Sequence, residues 1–227
     1  MKKTDLYFTL VLVAIFLPFF VSPTLYEAYK TFNAGHGMIM SFFKFGILAT
    51  LGEMLGARIA KGEYLPKGFG MLPKMVVWGI LGMFINGAMI VFSNGIPVVL
   101  QTLGMDDALM AFYGPLSWKK FVVALSISVA MNTFFAPVFM TFHKITDMHI
   151  HHYQGSLTAL LHPIPMGKLM AELDWKKQWG FVFKKTIPLF WYPAHTITFL
   201  LPGELRVLFA ALLGVVLGVL LAIAAKR

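Results

Sequence analysis

Six long apolar stretches divide this 227-residue chain, and they restrict its fold more than any other feature. A helix needs about 20 apolar residues to cross the hydrocarbon core of a bilayer. Inside a bilayer every backbone N–H and C=O must find a partner within the protein, so such stretches form helices. The sequence therefore predicts an all-α, polytopic transmembrane bundle in a single domain. Its six predicted spans are residues 6–26, 38–59, 75–100, 121–142, 186–201 and 205–225.

The composition agrees with a membrane protein and removes several classes of function. Hydrophobic residues make up 58% of the chain and charged residues only 13%, unlike an ordinary soluble domain. The chain has no cysteine, which excludes disulfides, cysteine-ligated zinc and thiol catalysis. Its net charge of +9 is explained by topology and by contact with anionic lipids, so we exclude nucleic acid as a partner.

The distribution of lysine and arginine predicts the orientation in the membrane. If the N-terminus is cytoplasmic, most of the 19 basic residues fall on the cytoplasmic side, as the positive-inside rule requires. Six spans then leave both termini in the cytoplasm. Lys2 and Lys3 resemble the start of a signal peptide, but no cleavage site follows the first stretch, and the N-terminus lacks an Arg- and Ser-rich presequence. We therefore expect a multi-pass protein of a bacterial-type inner membrane.

Five polar residues in or beside the spans are candidates to line a solute path, because polar groups in a membrane are costly and commonly functional. Each also has a structural interpretation. Glu53 is close enough to the membrane edge to pair with Arg58 or Lys61. The asparagines can join helices through side-chain hydrogen bonds, and the histidine can satisfy carbonyls freed by nearby prolines. The five are Glu53, Asn86, Ser128, Asn132 and His195.

The segment 143–185 is predicted to be a cytoplasmic connector that begins with a histidine-rich run. The run contains ligand types suited to zinc or another divalent ion. It lacks the i, i+4 histidine pair of a helical zinc site, which favours a solvent-exposed loop. No catalytic triad, phosphate loop or carboxylate pair stands out, so the sequence predicts neither an enzyme nor a cofactor, with a divalent metal as the alternative. The candidate ligands are His143, Asp147, His149, His151 and His152.

A ridge of small residues runs along the last predicted span, at intervals of four. Small side chains allow the backbone of another helix to approach closely. The pair Gly52 and Gly56 in the second span offers a matching surface within the same chain. Packing inside one bundle is therefore the favoured interpretation, and a homodimer seam is the alternative. The ridge consists of Ala210, Gly214, Gly218 and Ala222.

Several short motifs occur in the order found in a known family. Leu51-Gly52-Glu53 comes first, followed by Lys119-Lys120 leading to Asn132 and Ala136-Pro137. The last are Trp191-Tyr192-Pro193, Thr198-Phe199 and Leu201-Pro202-x3-Arg206. Over about residues 45–210 the chain resembles the Mpv-seventeen / peroxisomal-membrane-protein-twenty-two family of small membrane proteins, as a distant, bacterial-like member. Met131 stands where that family has an acid in its corresponding span.

The resemblance implies a helical-bundle membrane protein of a kind reported to form weakly selective pores for small solutes. Together with the polar residues in the spans, it leads us to expect a pore or transport path, with the bilayer and small solutes as partners. Two alternatives remain open at this point: metal handling through the histidine-rich run, and a non-transporting scaffold that assembles through the small-residue ridge as a homo-oligomer.

Overall fold

The computed structural model describes residues 3–224, and within this range the chain is helical with no strand. The predicted all-α fold is therefore confirmed. A short 3-10 helix, Leu157–Leu161, follows the seventh α-helix, and a π-helix, Gln178–Trp191, connects the ninth to the tenth. The α-helices are α1 Lys3–Val21, α2 Pro23–Gly35, α3 Gly37–Lys61, α4 Met71–Thr102, α5 Ala108–Tyr113, α6 Trp118–Phe134, α7 Ala136–His152, α8 Met166–Glu172, α9 Trp175–Lys177, α10 Tyr192–Leu200 and α11 Gly203–Ala224.

Four of these helices are long and apolar enough to cross a membrane, which supports a multi-pass membrane protein. They are α1, α3, α4 and the part of α11 over Gly203–Leu220, and the bent pair α6 and α7 makes a fifth candidate. Six spans are not confirmed, because the predicted span 186–201 crosses the junction between the π-helix and α10. The predicted end of the last span, Ala225, lies outside the described residues.

The predicted span 121–142 is two helices that meet at an angle of 47°. Pro137 lies in the first turn of α7, where a residue without an N–H can begin a helix but cannot continue the preceding one. The structure also differs from the predicted connector, because α7 continues to His152 and contains the whole histidine-rich run. A helix brings residues four apart onto one face, and this decides which of these side chains can act together.

The chain divides into two compact units, with the boundary after Met40 in the first turn of α3. The first unit contains α1 and α2. Between them Ser22 caps α2, where its hydroxyl accepts a hydrogen bond from the Leu25 N–H at 3.3 Å, and Pro23 occupies the first turn. Helix α1 buries none of its described residues, as expected of a helix with a lipid-facing surface.

The second unit, from Ser41 onward, contains the candidate functional site. Its helices approach closely at glycines. A Cβ atom on Gly52 of α3 would come within 2.9 Å of the Val215 Cα of α11, and Gly56 lies against the carbonyl of Gly218. The small-residue ridge of α11 therefore packs against Gly52 and Gly56 of α3 within one chain, which is the interpretation that the sequence favoured. The close approach depends on the absence of side chains at the glycines.

Candidate functional site

A cavity of about 330 Å³ lies in the second unit, lined by residues of α3, α4, α6, α7, the π-helix, α10 and α11. Its volume is at the small end of the range for pockets that hold organic molecules. Most of the wall is apolar. Aromatic rings form much of it, from Phe45, Trp78, Phe135, Phe139, Phe181 and Trp191.

Small residues of α11 make room for this cavity. Ala210, Gly214 and Gly218 line it, and a Cβ atom on Gly214 would have no other group within 4 Å. The sequence predicted this ridge of small residues to be a packing surface. In the structure it has two roles, because Gly218 contacts α3 and Gly214 borders the cavity. Ala222 is buried.

A charged cluster occupies one part of the cavity wall and joins three helices. The ammonium group of Lys74, at the start of α4, donates to Glu53 Oε2 of α3 at 2.6 Å. It also donates to Asp147 Oδ1 of α7. The side chain of Lys74 is 11% exposed, and the two carboxylates are 23% and 25% exposed. The cluster is mostly withdrawn from water, so its attraction is stronger than that of a surface pair, and losing one member leaves a charge without its partner.

Two aromatic side chains support Glu53. The indole Nε1 of Trp78 donates to Glu53 Oε1 at 2.7 Å, which fixes the carboxylate on one side. The imidazole of His143 lies against the indole of Trp78, with ring centroids 4.2 Å apart. Its Nε2 is 3.3 Å from Glu53 Oε1, within ion-pair distance, but it is buried without a hydrogen bond of suitable direction.

Glu53, His143 and Asp147 could hold a metal ion. One ligand atom from each lies within 4.8 Å of the others, and two carboxylates with one imidazole suit divalent transition metals. His143 and Asp147 are four residues apart on α7, so the helix turns both toward Glu53. Lys74 already contacts both carboxylates. A metal ion would therefore have to displace the ammonium group.

The histidine-rich run does not act as one site. His143 and Asp147 join the cluster, whereas His149 is buried and its Nε2 lies 2.9 Å from the carbonyl oxygen of Ala159. His151 and His152 are exposed. Helix geometry thus brings only two residues of the run together, and Glu53 of α3 completes that group.

The residues predicted to line a solute path also fall into two groups, those that line the cavity and those that do not. Glu53, Asn132 and His195 line the cavity. Ser128 is fully buried and donates to the carbonyl of Tyr192 at 2.8 Å, and Asn132 donates to the carbonyl of Ser128 at 2.8 Å. Asn86 is buried and is not part of the cavity wall. Ser128 thus links α6 to α10, whereas the side-chain hydrogen bonds of Asn132 stay within α6 and do not join helices.

The positions that carry the family resemblance have identifiable structural roles. Trp191 lines the cavity and stacks on His195 with centroids 5.1 Å apart. Pro193 begins α10 and Pro202 immediately precedes α11. Arg206 donates from Nε to the carbonyl of Leu201 at 3.0 Å, and its guanidinium lies 4.4 Å from the ring centre of Phe112. Gly52 and Pro137 contribute close packing and the helix bend described above.

Sequence reasoning missed Lys74, Trp78 and Gln178. The predicted third span begins at residue 75 and leaves Lys74 just outside it, although Lys74 lies in the first turn of α4. One signal could have identified it. Glu53 lies near the end of α3 and Lys74 near the start of the next helix, so a hairpin of two spans brings the opposite charges to the same membrane level.

Comparison with known proteins adds no assignment: no family model, no curated protein and no solved structure matches this chain.

Proposed function

We propose that this protein is a membrane carrier for small, mainly apolar organic solutes. The observation that carries the proposal is the aromatic-lined cavity of about 330 Å³, bordered by a charged cluster, among helices long enough to cross a membrane. Concave, mostly apolar cavities with a few convergent polar groups are the usual form of small-molecule sites. Buried ionisable residues in membrane helices commonly mark such sites.

The arrangement favours a carrier over a continuous polar pore. A pore needs polar groups along its whole length, but Ser128 bonds to backbone away from the cavity and Asn86 lies outside its wall. Of the expected lining residues, Glu53, Asn132 and His195 contribute to a single chamber. The family resemblance favours solute movement in general, and the bundle with both termini in the cytoplasm of a bacterial-type cell remains part of the proposal.

Each part of the cluster has a role in this carrier. Lys74 joins α3, α4 and α7, and Trp78 also ties α4 to α3, so a conformation in which the ammonium group leaves Asp147 would loosen α7 from the other two helices. The bend between α6 and α7 provides a position where α7 can swing without breaking a straight helix. Breaking and re-forming these ion pairs would open the cavity alternately to each side of the membrane.

Solute flux in proteoliposomes tests the proposal. We expect uptake of small aromatic solutes that saturates with concentration, together with full retention of trapped sucrose, because a carrier binds each solute before moving it. Protein-free liposomes correct for passive diffusion of the same solutes. Release of sucrose would indicate an open pore, and uptake equal to that of protein-free liposomes would contradict transport.

Metal handling is a second candidate function, favoured by the Glu53, His143 and Asp147 triad. For this function we expect Co²⁺ to quench the fluorescence of Trp78, which lies beside His143. The Lys74→Met variant should bind Co²⁺ more tightly because the competing ammonium is gone, and His143→Gln should remove the quenching. His152→Gln, an exposed histidine of the same helix, is the matched control.

Elemental analysis of protein purified without a histidine tag completes this test. Metal handling requires about one equivalent of a divalent metal in the wild type and a loss of that metal in His143→Gln. Substoichiometric metal in both would eliminate this candidate.

A further inference from the structure

Unpaired polar atoms are concentrated at the cavity. In the described part of the chain, four buried side-chain nitrogen or oxygen atoms have no hydrogen-bond partner, and three of them belong to residues that line the cavity. All three are nitrogens: Nε2 of Gln178, Nε1 of Trp191 and Nε2 of His143. Buried polar groups are almost always paired in folded proteins, so this concentration requires an explanation.

Two of these atoms can only donate. The amide nitrogen of Gln178 and the indole nitrogen of Trp191 carry N–H groups and accept nothing. Gln178 is 7% exposed, so its amide group is largely withdrawn from bulk solvent. A buried donor without an acceptor costs about 1–3 kcal/mol. The missing partner is therefore a hydrogen-bond acceptor.

The two donors lie at opposite ends of one element. Gln178 is the first residue of the π-helix and Trp191 is the last, and Phe181 and Val182 line the cavity between them. π-helical geometry is rare, and its single turns frequently occur at functional sites. The indole ring of Trp191 stacks on His195, with an interplanar angle of 15°.

The charges of the wall do not favour a cationic solute. Glu53 and Asp147 both accept from Lys74, and Glu53 also accepts from Trp78. A solute ammonium group would have to compete with these contacts, whereas an acceptor on the solute would meet N–H groups that lack a partner. Both carboxylates are thus already engaged, and the unmet hydrogen-bonding capacity of the wall is that of N–H groups.

We infer that the solute carries a hydrogen-bond acceptor, such as a carbonyl or carboxylate oxygen, on an apolar or aromatic body. The inference rests on the proposed carrier function. Trp191 and Gln178 are the residues that select this class, and one or the other donates its N–H to a solute oxygen after a small side-chain movement toward the cavity. The aromatic wall holds the apolar body.

Calorimetric binding to the full chain in lipid nanodiscs tests this specificity with three matched probes. They are 4-phenylbutanamide, 4-phenylbutanoate and 4-phenylbutylammonium, which share one apolar body and differ in the polar end. We expect the amide and the carboxylate to bind about tenfold more tightly than the ammonium, the difference that one or two net hydrogen bonds provide. Because the two donors lie at opposite ends of the π-helix, one amide group accepts from only one of them, so either Trp191→Phe or Gln178→Leu should weaken amide binding about fivefold and leave ammonium binding unchanged.

Trp179→Phe is the matched control for Trp191→Phe, because Trp179 belongs to the same π-helix but is exposed and does not line the cavity. This control should bind all three probes like the wild type. Equal binding of ammonium and amide, with neither variant affecting the amide, would overturn the acceptor inference and leave the carrier function standing. Absence of binding by all three probes would contradict both.

Discussion

The Lys74→Met variant should unfold at a clearly lower temperature than the wild type, with a loss of about 3 kcal/mol. Methionine has a similar length but no charge, so Glu53 and Asp147 would remain as two carboxylates near one another without their shared cation. Breaking a buried ion pair typically costs about 3–5 kcal/mol. The lower end applies here because each carboxylate is about a quarter exposed.

Thermal unfolding followed by tryptophan fluorescence in detergent measures this loss. Lys119→Met is the matched control, because Lys119 also pairs with an aspartate, Asp107, but both side chains are well exposed. The hydrogen bond from Lys119 holds the pKa of the Asp107 carboxyl below its ordinary value. Since solvent screens this surface pair, the control should unfold at the wild-type temperature.

A compensated variant separates the effect of charge from the effect of packing. Adding Glu53→Gln and Asp147→Asn to Lys74→Met removes all three charges while the side chains keep nearly the same size. We expect this triple variant to recover most of the lost stability, because a buried ion cluster can often be replaced by neutral groups at little cost. If Lys74→Met alone were as stable as the wild type, the cluster would not tie the three helices together.

The Gly214→Leu variant should abolish saturable solute uptake while the protein still folds. A side chain at this position would extend into the cavity, where a Cβ atom has no other group within 4 Å. Leucine also has a higher helix propensity than glycine, by about 1 kcal/mol, so α11 should remain intact. We expect the transport rate to fall at least about tenfold, as when a site loses the volume that its solute requires.

Gly87→Leu is the control for this substitution. Gly87 is also a helical glycine with no group within 4 Å of a Cβ atom, but it lies in α4 outside the cavity wall. Uptake by this variant should match the wild type in the same proteoliposomes. Wild-type uptake by Gly214→Leu, with thermal unfolding unchanged, would show that solutes do not pass through this cavity.

The membrane spans and the charged cluster differ in how far the sequence could predict them. Long apolar runs predicted α3, α4 and α11 with boundaries within a few residues of those observed, because a run of this length has few alternatives in a bilayer. The bend at Phe135 and the π-helix were not predicted. Whether a proline bends, begins or continues a helix depends on what packs around it, as Pro97 shows by lying buried inside α4.

By itself, the sequence determined that the chain is an all-helical membrane protein, and it identified Glu53, His143 and Asp147 as residues of interest. It assigned them to two separate sites, because Glu53 is about ninety residues away from the others. Only the tertiary structure brought them together around Lys74 and opened a cavity beside them. The physical reason is that the apolar content of a segment, which is a local property, decides whether that helix enters the membrane. The pairing of charges and the empty volume between helices depend instead on which helix faces meet.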